Sequence, residues 1–105
     1  MKIQINTDKN IPGRESLAQN VETILEQVLA RFSEQITRVE VHLSDENSAT
    51  KAGTPDKRCL LEVRLAGRQP SSVSEQAQTV DQAVRGAAQK MISSLESETG
   101  KLGKH

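Results

Sequence analysis

The side chains best equipped for chemistry lie in the middle of the chain, between His42 and Pro70. From Lys51 to Arg68 the cations Lys51, Lys57, Arg58, Arg64 and Arg68 outnumber the acids Asp56 and Glu62. Clustered ammonium and guanidinium groups hold phosphate through charge-assisted hydrogen bonds, and each phosphate they neutralise releases counterions. The chemistry they imply is the binding of a polyanion rather than catalysis. His42, Asp45 and Glu46 form the one grouping that suggests a metal or hydrolytic site, but the other histidine of the chain stands at position 105. That is a poor ligand set, and Asp45 and Asn47 are better read as ordering the start of a loop through local backbone hydrogen bonds. Ser44 has no histidine arranged to activate it. Cys59, the single cysteine, takes the inward parity of its strand and reads as an inert buried thiol. Neither a cofactor nor a metal is expected, and the chain is read as non-enzymatic.

The elements that position these residues must fit within 105 residues, enough for one domain with one core. Phe32 is the only aromatic, so that core is aliphatic, and sites that rely on aromatic rings to stack a base or cofactor are nearly excluded. Fourteen basic and fourteen acidic residues cancel, yet the charge is segregated. Arg14 to Glu34 holds two basic residues against four acidic ones, the reverse of the middle of the chain. No apolar run reaches the roughly 20 residues of a membrane span, and the N-terminus lacks the apolar stretch of a signal peptide. The chain is read as soluble and cytoplasmic.

Lys2 to Asn6 alternates, with Ile3 and Ile5 on one face, and predicts a short strand. Leu17, Val21, Ile24, Leu25, Val28, Leu29 and Phe32 recur at steps of three and four, which predicts a helix of about five turns with one apolar stripe. Thr37, Val39, Val41 and Leu43 then alternate with Arg38, Glu40 and His42. Cys59, Leu61, Val63 and Leu65 alternate likewise with Arg58, Glu62 and Arg64, although Leu60 is an apolar residue on the polar side. Ala66 to Pro70 supplies a turn, and Ser71 to Gln76 a weak strand suited to a sheet edge. Thr79 and Gln82 have the spacing of a capping box, ahead of a second stripe through Val80, Val84, Ala87, Ala88, Met91, Ile92 and Leu95.

The order β-α-β-β-β-α predicts a two-layer α+β sandwich: a four-stranded mixed sheet with two helices packed on one face. A helical crossover sets the first two strands parallel, and an antiparallel meander follows. The opposite sheet face is left open to water. Residues 1–98 are expected to form the domain, and 99–105 a flexible, glycine-broken tail. The connection from Ser44 to Lys57 is far longer than the usual hairpin loop of about 2–5 residues, and reads either as a binding loop or as a plain flexible excursion.

The passage Phe-Ser-Glu-Gln-Ile-Thr-Arg-Val-Glu-Val-His-Leu and the helix Val-Asp-Gln-Ala-Val-Arg-Gly-Ala-Ala-Gln-Lys-Met, in this element order, resemble the ribosome hibernation-promoting factor and ribosome-associated inhibitor family. The resemblance covers nearly the whole chain and is to the short form. It implies binding to ribosomal RNA of the small subunit, with steric exclusion of messenger and transfer RNA in stationary or stressed cells. Lys90 matches a basic family position, and Arg85 lies one turn before it. Where the family's first helix is basic, this chain presents Glu22, Thr23, Glu26 and Gln27. The expected contacts are therefore Lys57, Arg58, Arg64 and Arg68 around the loop and hairpin, with Arg85 and Lys90 on the second helix. The alternative reading is a module of the same fold that has lost strong RNA binding and takes a protein partner on its open sheet face. On the bland reading, Arg38, Glu40, Glu62 and Arg64 simply form cross-strand ion pairs there.

Overall fold

The computed structural model describes residues 1–8, 14–45 and 57–103. Strands β1 (Lys2–Thr7), β2 (Ile36–Asp45), β3 (Lys57–Leu65) and β4 (Ser71–Ala77) form one sheet in the order β1-β2-β3-β4. Helix α1 (Arg14–Val28) joins β1 to β2, and α2 (Val80–Gly103) follows β4. β1 pairs parallel with β2, while β2–β3 and β3–β4 are antiparallel. This is the expected α+β sandwich, with β4 at an edge as its serine content suggested.

Alternation decides which side of the sheet is covered. Val39, Val41 and Leu43 of β2 and Cys59, Leu61, Val63 and Leu65 of β3 are buried. They meet Val21, Ile24 and Leu25 of α1 and Ala83, Val84, Ala87, Ala88, Met91 and Leu95 of α2 in one continuous core. The Val, Leu, Ile and Met side chains among them contribute about 1.5–3 kcal/mol each when fully buried, so the two helical stripes and the apolar sheet face hold the layers together. Burial raises the Cys59 thiol to about 12 by desolvation alone. That is the inert, core-filling cysteine its parity implied.

Three details depart from the periodic reading. The first helix ends at Val28, and its stripe continues through a 3₁₀ turn at Ala30–Phe32, closed by hydrogen bonds from the Phe32 N–H to the Leu29 carbonyl (3.0 Å) and from the Ser33 N–H to the Ala30 carbonyl (3.1 Å). Leu29 and Phe32 stay buried because the tighter turn still returns a side chain to the core face after three residues. In β2, Ile36 is buried and Thr37 exposed, the reverse of strict alternation. A bulge between Ile36 and Arg38 inserts Thr37 as an extra residue, so Ile36 pairs with Leu65 on the core side. Finally, α2 runs to Gly103, so the break expected at residue 98 does not fall at its end. The connection expected from Ser44 to Lys57 lies, at 46–56, outside the described residues, and both named ends belong to strands.

Thr79 caps α2: the Gln82 N–H donates to its Oγ1 at 3.1 Å. Among the described residues Gln82 does not return the bond, so half of the capping box is formed. Replacing Thr79 by alanine is expected to lower stability by about 1 kcal/mol, read from the midpoint of urea unfolding.

Candidate nucleic-acid interface

The six expected cations do not form one patch. Arg58 and Arg64 point out from the open sheet face, six residues apart along β3, or about 20 Å. Lys57 has the opposite parity and lies at the sheet end, where its Nζ is 3.2 Å from Asp45 Oδ2. Asp45 is itself anchored, its N–H donating to Asp8 Oδ2 at 3.2 Å. Arg68 is half-buried in the turn after β3, where Gly67 takes the left-handed φ of +74° and the Arg68 N–H donates to the Leu65 carbonyl at 3.0 Å. A residue with a Cβ rarely adopts that φ, which is why this tight return requires glycine.

On the helical layer, Arg85 donates through Nε to Asp81 Oδ2 at 3.0 Å, one turn back. Lys90 reaches sideways to the sheet edge, donating to the Ser74 carbonyl at 3.0 Å with its Nζ 2.7 Å from Glu75 Oε1. Glu75 faces the helices because it pairs with inward Cys59. Gly86 leaves room for it: a Cβ there would lie 2.5 Å from Glu75 Oε2. Three of the six expected contacts, Lys57, Arg85 and Lys90, therefore already have an acidic partner. Among the described residues, Arg58 and Arg64 have none.

Register adds two cations, Lys2 and Arg38, that are not among the six expected contacts. Lys2 pairs with Arg38, and Arg38 with Arg64, so three cations from three strands form a row across one end of the open face. Arg68 leaves the turn just beyond that row. The next row is acidic, with Glu40 opposite Glu62. The cross-strand neighbours are thus like charges, and the expected cross-strand ion pairs do not form. Instead Arg38 bonds along its own strand to Glu40 at 3.2 Å and reaches Gln4 at 3.4 Å. Parity of Lys2 was readable from Ile3 and Ile5, but its neighbours depended on the register of a parallel crossover that no local pattern encodes.

The grouping of His42 with Asp45 and Glu46 is not assembled for chemistry. His42 points to the open face, where its Nε2 lies 4.0 Å from Glu40 Oε1, whereas Asp45 has the opposite parity and binds Lys57. Glu46 lies outside the described residues. What the geometry offers is a shallow, charged, solvent-facing surface, suited to contact with another macromolecule rather than to enclosing a small substrate.

The family model described as sigma 54 modulation protein / S30EA ribosomal protein matches residues 3–103. The chain belongs to this family. The N-terminal domain of Thermus thermophilus Protein Y superposes with a TM-score of 0.69 at 21% identity, over 92% of this chain and 98% of that one. A ribosomal subunit interface protein from Coxiella burnetii gives a TM-score of 0.74 at 15% identity, over 95% and 99%. At these identities the two structures establish the shared fold. No curated protein matches in sequence. The S30EA membership confirms the hibernation-factor resemblance read from the strand and helix motifs. Among the described residues of this family member, no helix is long and apolar enough to cross a membrane.

Proposed function

We propose that this chain is a cytoplasmic, ribosome-associated hibernation factor, non-enzymatic, that occupies the small ribosomal subunit and sterically excludes messenger and transfer RNA. The observation that carries the reading is the family match over residues 3–103. The fold shared with a ribosomal subunit interface protein agrees with it. Arg58, Arg64 and Arg68 supply the sheet-side contacts to ribosomal RNA, and Lys57, Arg85 and Lys90 contribute as phosphate displaces their carboxylate partners. Charge sets affinity and the shape of the sandwich sets the site, since phosphate contacts position a protein without reading sequence. Co-sedimentation of the purified protein with small subunits tests this directly. Binding that weakens as salt rises is expected, and no co-migration at low salt would sink the reading.

Lys90 gives a finer test. Its ammonium must leave Glu75 before it meets a phosphate, and a surface ion pair of this kind is worth about 0.2–1 kcal/mol. Glu75→Gln is therefore expected to raise affinity for the small subunit by about 1.4–5-fold, measured by titration at constant salt. Unchanged affinity would remove Lys90 from the contact set.

A second reading, a protein-binding module of the same fold, is favoured by one observation. Half of the expected RNA contacts are internally neutralised, while the open face keeps the half-buried Leu60 among its polar residues.

A further inference from the structure

We propose that the open sheet face is a self-complementary docking surface for a second copy of this chain. Its outward residues fall into rows set by the strand register. One row is Lys2, Arg38 and Arg64; the next is Gln4, Glu40, Glu62 and Ser72; the next is Asn6, His42, Leu60 and Ser74. Within the first two rows, like charges stand directly opposite one another, which is unfavourable in an isolated sheet. Arg38 and Glu40 relieve part of this at 3.2 Å along β2. Arg64 and Glu62, adjacent on β3, have no ion pair among the described residues.

Successive rows are two residues, or about 7 Å, apart. A two-fold axis lying between two facing sheets, parallel to the rows and midway between the first and second, places the cationic row of each copy over the acidic row of the other. Arg64 then faces Glu62 of the second copy and Arg38 faces its Glu40, each contact occurring twice as an isologous interface requires. The like-charge quartet becomes an alternating one. The same operation sets Leu60 over Ala66 of the second copy, beside Pro70, which gives the apolar residue on the outer face an apolar neighbour. At the centre lies a cavity of about 130 Å³ lined by Arg38, Glu40, Glu62, Arg64 and Pro70, into which the opposing side chains can enter. Aligned face-to-face packing of two twisted sheets is a common arrangement. Arg64 also belongs to the contact set proposed for ribosomal RNA, so a second copy and RNA exclude one another on this face.

Four strands about 4.8 Å apart and a few rows deep present on the order of 350 Å² per copy, well under the roughly 800 Å² of a stable complex. The dimer is therefore weak, forming at high protein concentration and dissociating as salt screens its exposed ion pairs.

Sedimentation equilibrium of the full chain over a concentration series, at low salt and at about 0.3 M, measures it. Wild type is expected to self-associate with a dissociation constant that rises about tenfold across that salt range. Glu62→Arg alone and Arg64→Glu alone each abolish association, and the double variant, which exchanges the two charges, restores it. All are exposed or half-exposed positions where the fold is kept, checked by circular dichroism. A wild-type protein that stays monomeric at millimolar concentration and low salt overturns the proposal, as does a double variant that remains monomeric while wild type dimerises. The readout is the mass of the free protein, so its failure is separate from any failure to bind ribosomes.

Discussion

Reversing Arg58 and Arg64 together to glutamate is expected to lower affinity for the small ribosomal subunit by at least about 100-fold at low salt. A hydrogen bond to a charged group contributes about 1.5–3 kcal/mol, roughly ten- to a hundredfold in affinity, and reversal replaces that attraction with repulsion. The choice of these two follows from geometry. Lys57, Arg85 and Lys90 already face carboxylates at 3.2, 3.0 and 2.7 Å, so removing them loses a cation that was partly spent. Arg58, half-buried, and Arg64, exposed, point outward from β3 without an acidic partner among the described residues. The log–log slope of affinity against salt should flatten by about one unit per lost contact, two in all. Titration at several salt concentrations separates this from a loss of folding, which would abolish binding without a graded slope. Unchanged affinity in the double variant would take both arginines off the interface, and with them the view that the sheet side faces RNA. Because the arginines stand about 20 Å apart, their effects are also expected to be additive, so each single reversal should account for about half of the change in free energy.

Leu61→Ala is expected to cost about 2–5 kcal/mol of folding stability, a large share of the 5–15 kcal/mol available to a domain of this size. Leu61 is fully buried on β3, one of the two strands flanked by neighbours on both sides, where it pairs with Val41 and Val73 beneath the helical layer. With a single aromatic in the chain, no large ring is at hand in the centre of the sheet to collapse into the space. The loss then combines the transfer energy of the deleted atoms with that of the cavity they leave. Urea unfolding followed by circular dichroism reads it as a lower midpoint with an unchanged slope. A loss below about 1 kcal/mol would mean that α2 settles onto the sheet far more readily than its close-packed alanines suggest.

The parts of the fold legible in sequence are those that a single element dictates. Alternation in β2 and β3 identified their buried faces because a strand returns a side chain to the same face every second residue. The three- and four-residue steps from Leu17 to Phe32 and from Val80 to Leu95 identified the helical stripes in the same way. What alternation missed was the bulge at Thr37, since inserting one residue depends on where β3 runs beside β2. For the interface, the outward parity of Arg58 and Arg64 was readable, and so was the helical placement of Arg85 and Lys90. The neutralisation of Lys90 was not, because Glu75 comes from another strand and reaches it across Gly86.

The sequence by itself determined the element order, the core residues outside the bulge at Thr37, the inert cysteine and the family to which the chain belongs. All of these are carried by local periodicity and by motifs contiguous along the chain. Only the tertiary structure decided which charges meet. It joined Lys2 to Arg38 and Arg64, set Glu40 against Glu62, and tied Lys90 to Glu75. The physical reason is that register and close approach are properties of pairs of elements: each strand specifies which side chains face out, but only their alignment specifies what those side chains face.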